Sequence, residues 1–231
     1  MADAKSTEIG MLLFPKMTQL DLTGPYEVFA RMPLARVHLL WKDTAPVTTD
    51  RGMQIVPSMT LADCPKLDII MVPGGPGQEG VMEDAIVLDF LRRQAAGARY
   101  VVSVCTGSLV LAAAGLLNGY RSTCHWSAID LLPVMGAIPT DERVVVDRNR
   151  ISGAGVSAGI DCALRVASIL HGPQVAQEIQ LQIEYDPQPP FDSGSVRKAP
   201  KAVLDTLRAR GRSFHEQRQA TAARVAARAP G

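Results

Sequence analysis

Short apolar runs and longer amphipathic stretches alternate along the chain. "IGMLLF" (9–14), "RVHLLW" (36–41), "LDIIMV" (67–72), "RYVVSV" (99–104) and "RVVVD" (143–147) are rich in Val, Ile, Leu and Met, and each is followed by a turn. Runs of this length without strict alternation predict strands covered on both faces. Between and after them the spacing predicts helices over 23–31, 83–96, 106–117, 126–134, 157–170 and 173–184, the fifth opened by Ser157 as its N-cap. "RGMQIVPSMTL" (51–61) reads as a small edge hairpin, because Pro57 has no N–H to give to a central ladder. The alternation as a whole predicts an α/β fold around a parallel sheet.

The pattern changes after Tyr185. "DPQPPFDSGSVRKAP" is a Pro-rich connector expected to lie extended on a surface, and a last helix is expected from about 201 to 228. We therefore divide the chain into an α/β domain over 1–190 and, over 191–231, a connector and terminal helix that pack on the domain or on a second subunit. That helix carries seven Lys or Arg against two acids. Without a helix-turn-helix pattern, such a stripe reads as a solvated face and not as a nucleic-acid contact.

Composition narrows the function. The 231 residues, 47% of them hydrophobic, suffice for one substantial core. With 24 Lys and Arg against 23 Asp and Glu the net charge is +1, so no global field steers the protein to nucleic acid or an anionic membrane. The start has no cationic segment followed by an apolar one, and "LVLAAAGLL" is too short to span a bilayer, so a cytoplasmic protein without membrane attachment is expected. The cysteines at 64, 105, 124 and 162 include no C-x-x-C, and no histidine stands at zinc-finger spacing, so free thiols and no metal are expected.

One cysteine stands apart. In "VVSVCTGSLVL" Cys105 falls between the end of a predicted strand and the start of a predicted helix, the setting of a nucleophile elbow. The partial positive charge of a helix amino end favours a thiolate there, and Gly107 leaves room for a sharp turn. Gly75, in "VPGGPG", follows another strand; its N–H can pair with that of Thr106 around a developing negative charge, or the glycine can serve only a turn of positive φ. Asp21, between two leucines just ahead of the first helix, is either an acid/base with a pKa raised by burial or a cap. His125, in "STCHW", either polarises the thiol or has a structural place; His38, His171 and His215 form no evident triad.

Taken in order, "LDLTGP", "DIIMVPGGPG", "VVSVCTGSLVLAAAGLL", "STCHW" and "ISGAGVSAGIDCALRVA" resemble the DJ-1/PfpI superfamily over residues 8–185. Within it they are most similar to the isonitrile hydratase branch, a likeness that continues through "QLQIEYDPQPPF". The resemblance implies a flavodoxin-like three-layer sandwich, a homodimer, and hydration of an isonitrile to an N-substituted formamide without cofactor or metal. It further implies Cys105 as nucleophile, Asp21 as acid/base, and Thr106 with its N–H and hydroxyl facing the site. Tyr185 is assigned either to the pocket or to the surface before the connector, and Gly153 and Ala154 to the loop beside the site. Two further readings of the same thiol stay open: a glyoxalase or deglycase acting on 2-oxoaldehydes, and a redox sensor, the latter compatible with catalysis. A peptidase or amidotransferase lacks a Cys–His–acid set. An AraC-type regulatory domain remains the non-enzymatic alternative.

Overall fold

The computed structural model describes residues 6–228. The chain begins with β1 (Thr7–Leu12), α1 (Gln19–Phe29), β2 (Ala35–Trp41), the short β3 (Val47–Thr48), β4 (Gln54–Ile55) and β5 (Met59–Thr60), and β6 (Ile69–Val72). It continues through α2 (Gln78–Met82), α3 (Ala85–Ala95), β7 (Tyr100–Val104), α4 (Gly107–Ala113), β8 (Arg121–Ser122) and β9 (Ile138–Pro139). The last elements are β10 (Val144–Asp147), β11 (Arg150–Gly153), α5 (Ala158–His171), α6 (Pro173–Gln182) and α7 (Lys201–Arg228).

Seven strands form the central sheet in the order β10-β11-β7-β6-β1-β2-β5. Every neighbouring pair is parallel except the edge pair β10–β11. Helices α1 and α5 pack together on one face, while α3 and α4 lie against β6 and β7 on the other. The result is the expected three-layer α/β sandwich. The four residues of β6 and all but the first of β7 are buried, which explains why their runs show no alternation.

After β1 the chain moves outward to β2 and β5, then returns to the other side of β1 as β6. This reversal leaves a crevice at the carboxyl ends of the central strands, where α/β sheets bind ligands. Three segments meet there. Thr18 N–H donates to Gly74 O at 2.9 Å, Gly77 N–H to Lys16 O at 3.1 Å, and Cys105 N–H to Gly153 O at 3.0 Å. Gly107 allows α4 to start against β6: a Cβ there would lie 2.1 Å from Val72 O and 2.8 Å from Pro73 O, both backbone atoms that cannot give way cheaply. Gly107→Ala is therefore expected to cost about 3 kcal/mol or more through overpacking, read as a fall in Tm of roughly 10 °C by circular dichroism.

Several elements differ from the sequence expectation. The first helix starts at Gln19, not near Thr23, so Asp21 lies inside it. No α-helix spans 126–134; Pro133, which has no N–H to give, separates two 3-10 turns at Ile129–Leu131 and Pro133–Met135. The expected helix over 83–96 begins only at Ala85, capped by Asp84, whose carboxylate accepts from Val87 N–H at 3.4 Å. The expected hairpin over 51–61 is not one: Gln54–Ile55 pairs antiparallel with Val47–Thr48, while Met59–Thr60 lies parallel to β2 at the sheet edge. Ser157 precedes α5 without a side-chain cap, its hydroxyl accepting from Arg143 at 3.4 Å. The run over 143–147 is an antiparallel edge strand, and β11, which no run announced, is the strand that pairs with β7.

Helix α7 packs against α2, α4 and the second 3-10 turn, burying Arg218, Thr221, Ala222 and Val225. Among the described residues no helix is long and apolar enough to cross a membrane.

Candidate active site

The backbone singles out Cys105 before its chemistry does. Its φ is +57°, a left-handed conformation rare for a residue with a side chain, held between β7 and α4. Cys105 N–H is taken by Gly153 O, and Cys105 O accepts from Ser108 Oγ at 3.2 Å. The strain fixes the thiol at the crevice, with Thr106 N–H supporting the sulfur. Gly153 is thus a backbone anchor of the elbow, and Ala154 continues it by donating its N–H to Arg143 O at 2.9 Å.

Asp21 is fully buried and reaches the same place from α1. Its Oδ2 accepts from Gly74 N–H at 2.9 Å, while Oδ1 is buried without a hydrogen-bond partner among the described residues. Burial raises its pKa to about 7, against the opposing pull of the Gly74 N–H and the Cys105 side chain. A carboxyl poised near neutrality can both take and give a proton.

The thiol does not follow the sequence expectation of a depressed pKa. Burial pushes Cys105 upward, the Asp21 carboxylate beside it pushes further, and the Thr106 N–H opposes them without prevailing. Desolvation beats the short helix behind it. In the resting site the proton stays on sulfur, and a base must remove it as the substrate arrives. The other thiols are held up mainly by burial, to about 11 for Cys64 and Cys124 and about 12 for Cys162. None of these three has positive φ.

The diglycine turn divides its labour differently from the expectation. Gly75, at φ +128°, gives its N–H to Thr106 Oγ1 at 3.0 Å, so it locks the threonine and is not free to meet a reacting group. Gly74 N–H holds the acid. A Cβ on Gly74 would sit 2.4 Å from Thr106 N and 2.9 Å from Asp21 Oδ2, so the glycine is needed where α1, β6 and α4 converge.

His125 is turned to other partners. Ser127 Oγ lies 2.8 Å from its Nδ1, and Ser127 N–H donates to the same nitrogen at 3.3 Å. Burial and the Arg218 charge lower its pKa to about 4, so the ring is neutral and offers no cation to a thiolate. Tyr185 donates its hydroxyl to Asp161 Oδ2 at 3.3 Å, and Asp161 pairs with Arg143 at 2.5 Å. No hydrogen bond joins Tyr185 to Cys105 or Asp21 among the described residues. Nor do those residues hold a cluster of His, Cys, Asp and Glu fit for a metal.

Two further groups carry no signal in the sequence. Arg218 of α7 is only 4% exposed, and its charge reaches Cys124, Glu79 and Cys105. Glu79, at the start of α2, has its Oε1 buried without a hydrogen-bond partner among the described residues.

Comparison with known proteins identifies the family and the fold. Residues 7–174 match the DJ-1/PfpI family model. The chain is 56% identical to the isonitrile hydratase of Pseudomonas putida over 96% of its own length and 97% of that protein's. The crystal structure of a ThiJ/PfpI family protein from Pseudomonas syringae superimposes with a TM-score of 0.92 at 44% identity, covering 94% of this chain and 91% of that one. The HTH-type transcriptional regulator GbdR of Pseudomonas aeruginosa is 32% identical over 77% of this chain, which corresponds to only 50% of the regulator.

Proposed function

The chain belongs to the DJ-1/PfpI family, and on that premise we propose that it hydrates isonitriles to N-substituted formamides, with Cys105 as nucleophile and Asp21 as the proton carrier. The full-length likeness to a hydratase names the reaction. The observation that carries its assignment to this site is the buried carboxyl, poised at about 7 beside a thiol of strained backbone.

The steps follow from the proton positions. The Asp21 carboxylate takes the thiol proton, and the sulfur adds to the terminal carbon of R–N≡C. Asp21 returns the proton to that carbon, giving the thioimidate R–N=CH–S–Cys105. Asp21, again a carboxylate, draws a proton from water as the oxygen attacks the same carbon, and passes that proton to the imine nitrogen. Collapse of the tetrahedral adduct forms the C=O bond and expels sulfur, which takes up the proton released from the adduct's hydroxyl. One water is consumed and R–NH–CHO leaves.

Gly74 fixes the carboxyl through Oδ2 and leaves Oδ1 for the moving proton, while Gly75 and Thr106 hold the turn rigid. We read the enzyme as a cytoplasmic homodimer; sedimentation tests its assembly. Nucleic acid has no part in the reading. Of the arginines on α7, Arg218 is buried, and Arg224 and Arg228 are engaged by Glu83 at 2.9 and 3.4 Å.

The test is single-turnover mass spectrometry with 4-nitrophenyl isonitrile, following formamide in parallel. An adduct of substrate mass on Cys105, decaying as the formamide appears, is expected. Turnover of methylglyoxal without turnover of the isonitrile would replace this reading with the glyoxalase one.

A further inference from the structure

Buried acceptors without donors gather on two segments beside the acid. Asp21 Oδ1 and Gln19 Oε1 of α1, and Thr49 Oγ1 and Asp50 Oδ1 of the turn between β3 and β4, are buried without a hydrogen-bond partner among the described residues. Carboxylate and amide oxygens accept and do not donate, so none of these three can satisfy another. A buried oxygen left unmet costs more than an ordinary hydrogen bond returns, and several at one place point to a donor from outside the chain.

Backbone contacts fix this meeting. Lys16 N–H donates to Thr48 O and Asp50 N–H to Met17 O, each at 2.9 Å, so the β3–β4 turn is laced to the segment that enters α1. Thr18, the next residue of that segment, gives its N–H to Gly74 O and takes the Asp21 N–H at 3.1 Å. Met17 also lies against the diglycine turn: a Cβ on Gly75 would fall 2.7 Å from Met17 Cα, and Gly75 is the residue whose N–H locks Thr106 beside Cys105. The residue that anchors Asp50 is therefore in contact with the turn that holds both the acid and the elbow. The Asp50 carboxylate has two different ends. Its Oδ2 lies 3.6 Å from Nε of the exposed Arg51, while its Oδ1 is buried. Cys105, Gly74 and Asp50 are the groups that act on Asp21 from the elements around it, and the Asp50 charge joins burial in raising that carboxyl.

Of the two reactants, only one has hydrogens to give. The N≡C group of an isonitrile carries none, whereas water carries two. We propose that the attacking water is held between Asp21 Oδ1 and Asp50 Oδ1, one hydrogen on each, with a lone pair presented to the thioimidate carbon on Cys105. The inference rests on the hydratase reading and adds Asp50 to it as the second residue that touches the water. As the oxygen–carbon bond forms, the O–H bond to Asp21 breaks and the C=N π pair moves to nitrogen, which receives that proton from Asp21. The hydrogen on Asp50 stays with the oxygen as the hydroxyl of the tetrahedral adduct. The negative charge of Asp50 makes Asp21 the stronger base while it draws the proton.

The experiment is single-turnover mass spectrometry of Asp50→Asn and Asp50→Ala with 4-nitrophenyl isonitrile at pH above 8, where Asp21 is ionised, because it separates formation of the Cys105 adduct from its hydrolysis. Formation uses no water, so both variants should form the adduct within about twofold of the parent rate. Hydrolysis should slow by about tenfold in Asp50→Asn, which keeps one acceptor oxygen, and further in Asp50→Ala, so that the adduct persists. A merely structural role would slow the two steps together. Equal slowing of both steps overturns the proposal, as does an adduct that decays at the parent rate in Asp50→Ala, or the failure of both variants to form one. If the parent itself gives neither adduct nor formamide, the hydratase reading fails, and the pairing of the two carboxyls is judged by infrared titration of Asp21. A fall in its pKa from about 7 by about half a unit or more in Asp50→Asn then supports the pair, and an unchanged value overturns it.

Discussion

Cys105→Ala is expected to abolish isonitrile hydration, by about 10³-fold or more in kcat, while the protein keeps its fold. The loss is large because no other group can take over the step. The carbon of an isonitrile needs a soft nucleophile, and the remaining thiols are raised to about 11 or 12 without a carboxyl arranged to deprotonate them. Alanine tolerates the local backbone about as well as cysteine, so the positive φ at position 105 adds little new strain. A second consequence separates catalysis from structure. The Cys105 side chain helps to hold the Asp21 pKa down, so its removal should move that carboxyl above its value of about 7, which infrared titration of the carboxyl band can follow. Full activity in Cys105→Ala would exclude the covalent path.

The visibility of this pair in the sequence has a physical basis. A strand, a Cys-Thr-Gly turn and a helix leave the nucleophile only one place to stand, whereas the two leucines beside Asp21 suggested burial without deciding between an acid/base and a cap; of the two, Leu22 is buried and Leu20 exposed. Which glycine of "GGPG" serves the acid was not legible. The letters are identical, and only φ of +128° at Gly75 sends that N–H to Thr106 and leaves Gly74 to Asp21. β11 went unseen because "RISG" contains one large apolar residue; its strand character comes from pairing with β7. Arg218 was hidden for a related reason. The face that α7 buries consists of Arg218, Thr221, Ala222 and Val225, at helical spacing but without an apolar stripe, so the sequence announced a packed helix with a solvated basic face and did not show that an arginine lies on the buried side. The direction of the thiol's pKa was missed because sequence displays the helix terminus and conceals the depth of burial.

Asp21→Asn is expected to lower kcat by at least about 10²-fold and, at alkaline pH, to stabilise the fold. The activity loss follows from the mechanism, since an amide can neither take the thiol proton nor return it to carbon. In the unaltered enzyme the carboxylate is the active form, so kcat/KM should rise with pH through about 7 and then stay level, because the thiol loses its own proton only far above neutrality. That limb should vanish in Asp21→Asn. The stability effect has the opposite sign and comes from the same group. Its pKa is raised from 3.8 in the unfolded chain to about 7 in the fold, so the favourable protonated state is fully present below 3.8 and is lost as pH rises through about 7. The span of about three pKa units corresponds to something on the order of 4 kcal/mol withheld from the folded state at pH 8.5. Asparagine never ionises. Its Oδ1 can accept from Gly74 N–H as Oδ2 does now, and its amide can occupy the unpartnered position. Urea unfolding should therefore show the variant more stable than the parent at pH 8.5 and alike near pH 4. A difference that does not change with pH would mean that the substitution acts through packing and that the carboxyl at position 21 is not the proton carrier held near neutrality by burial.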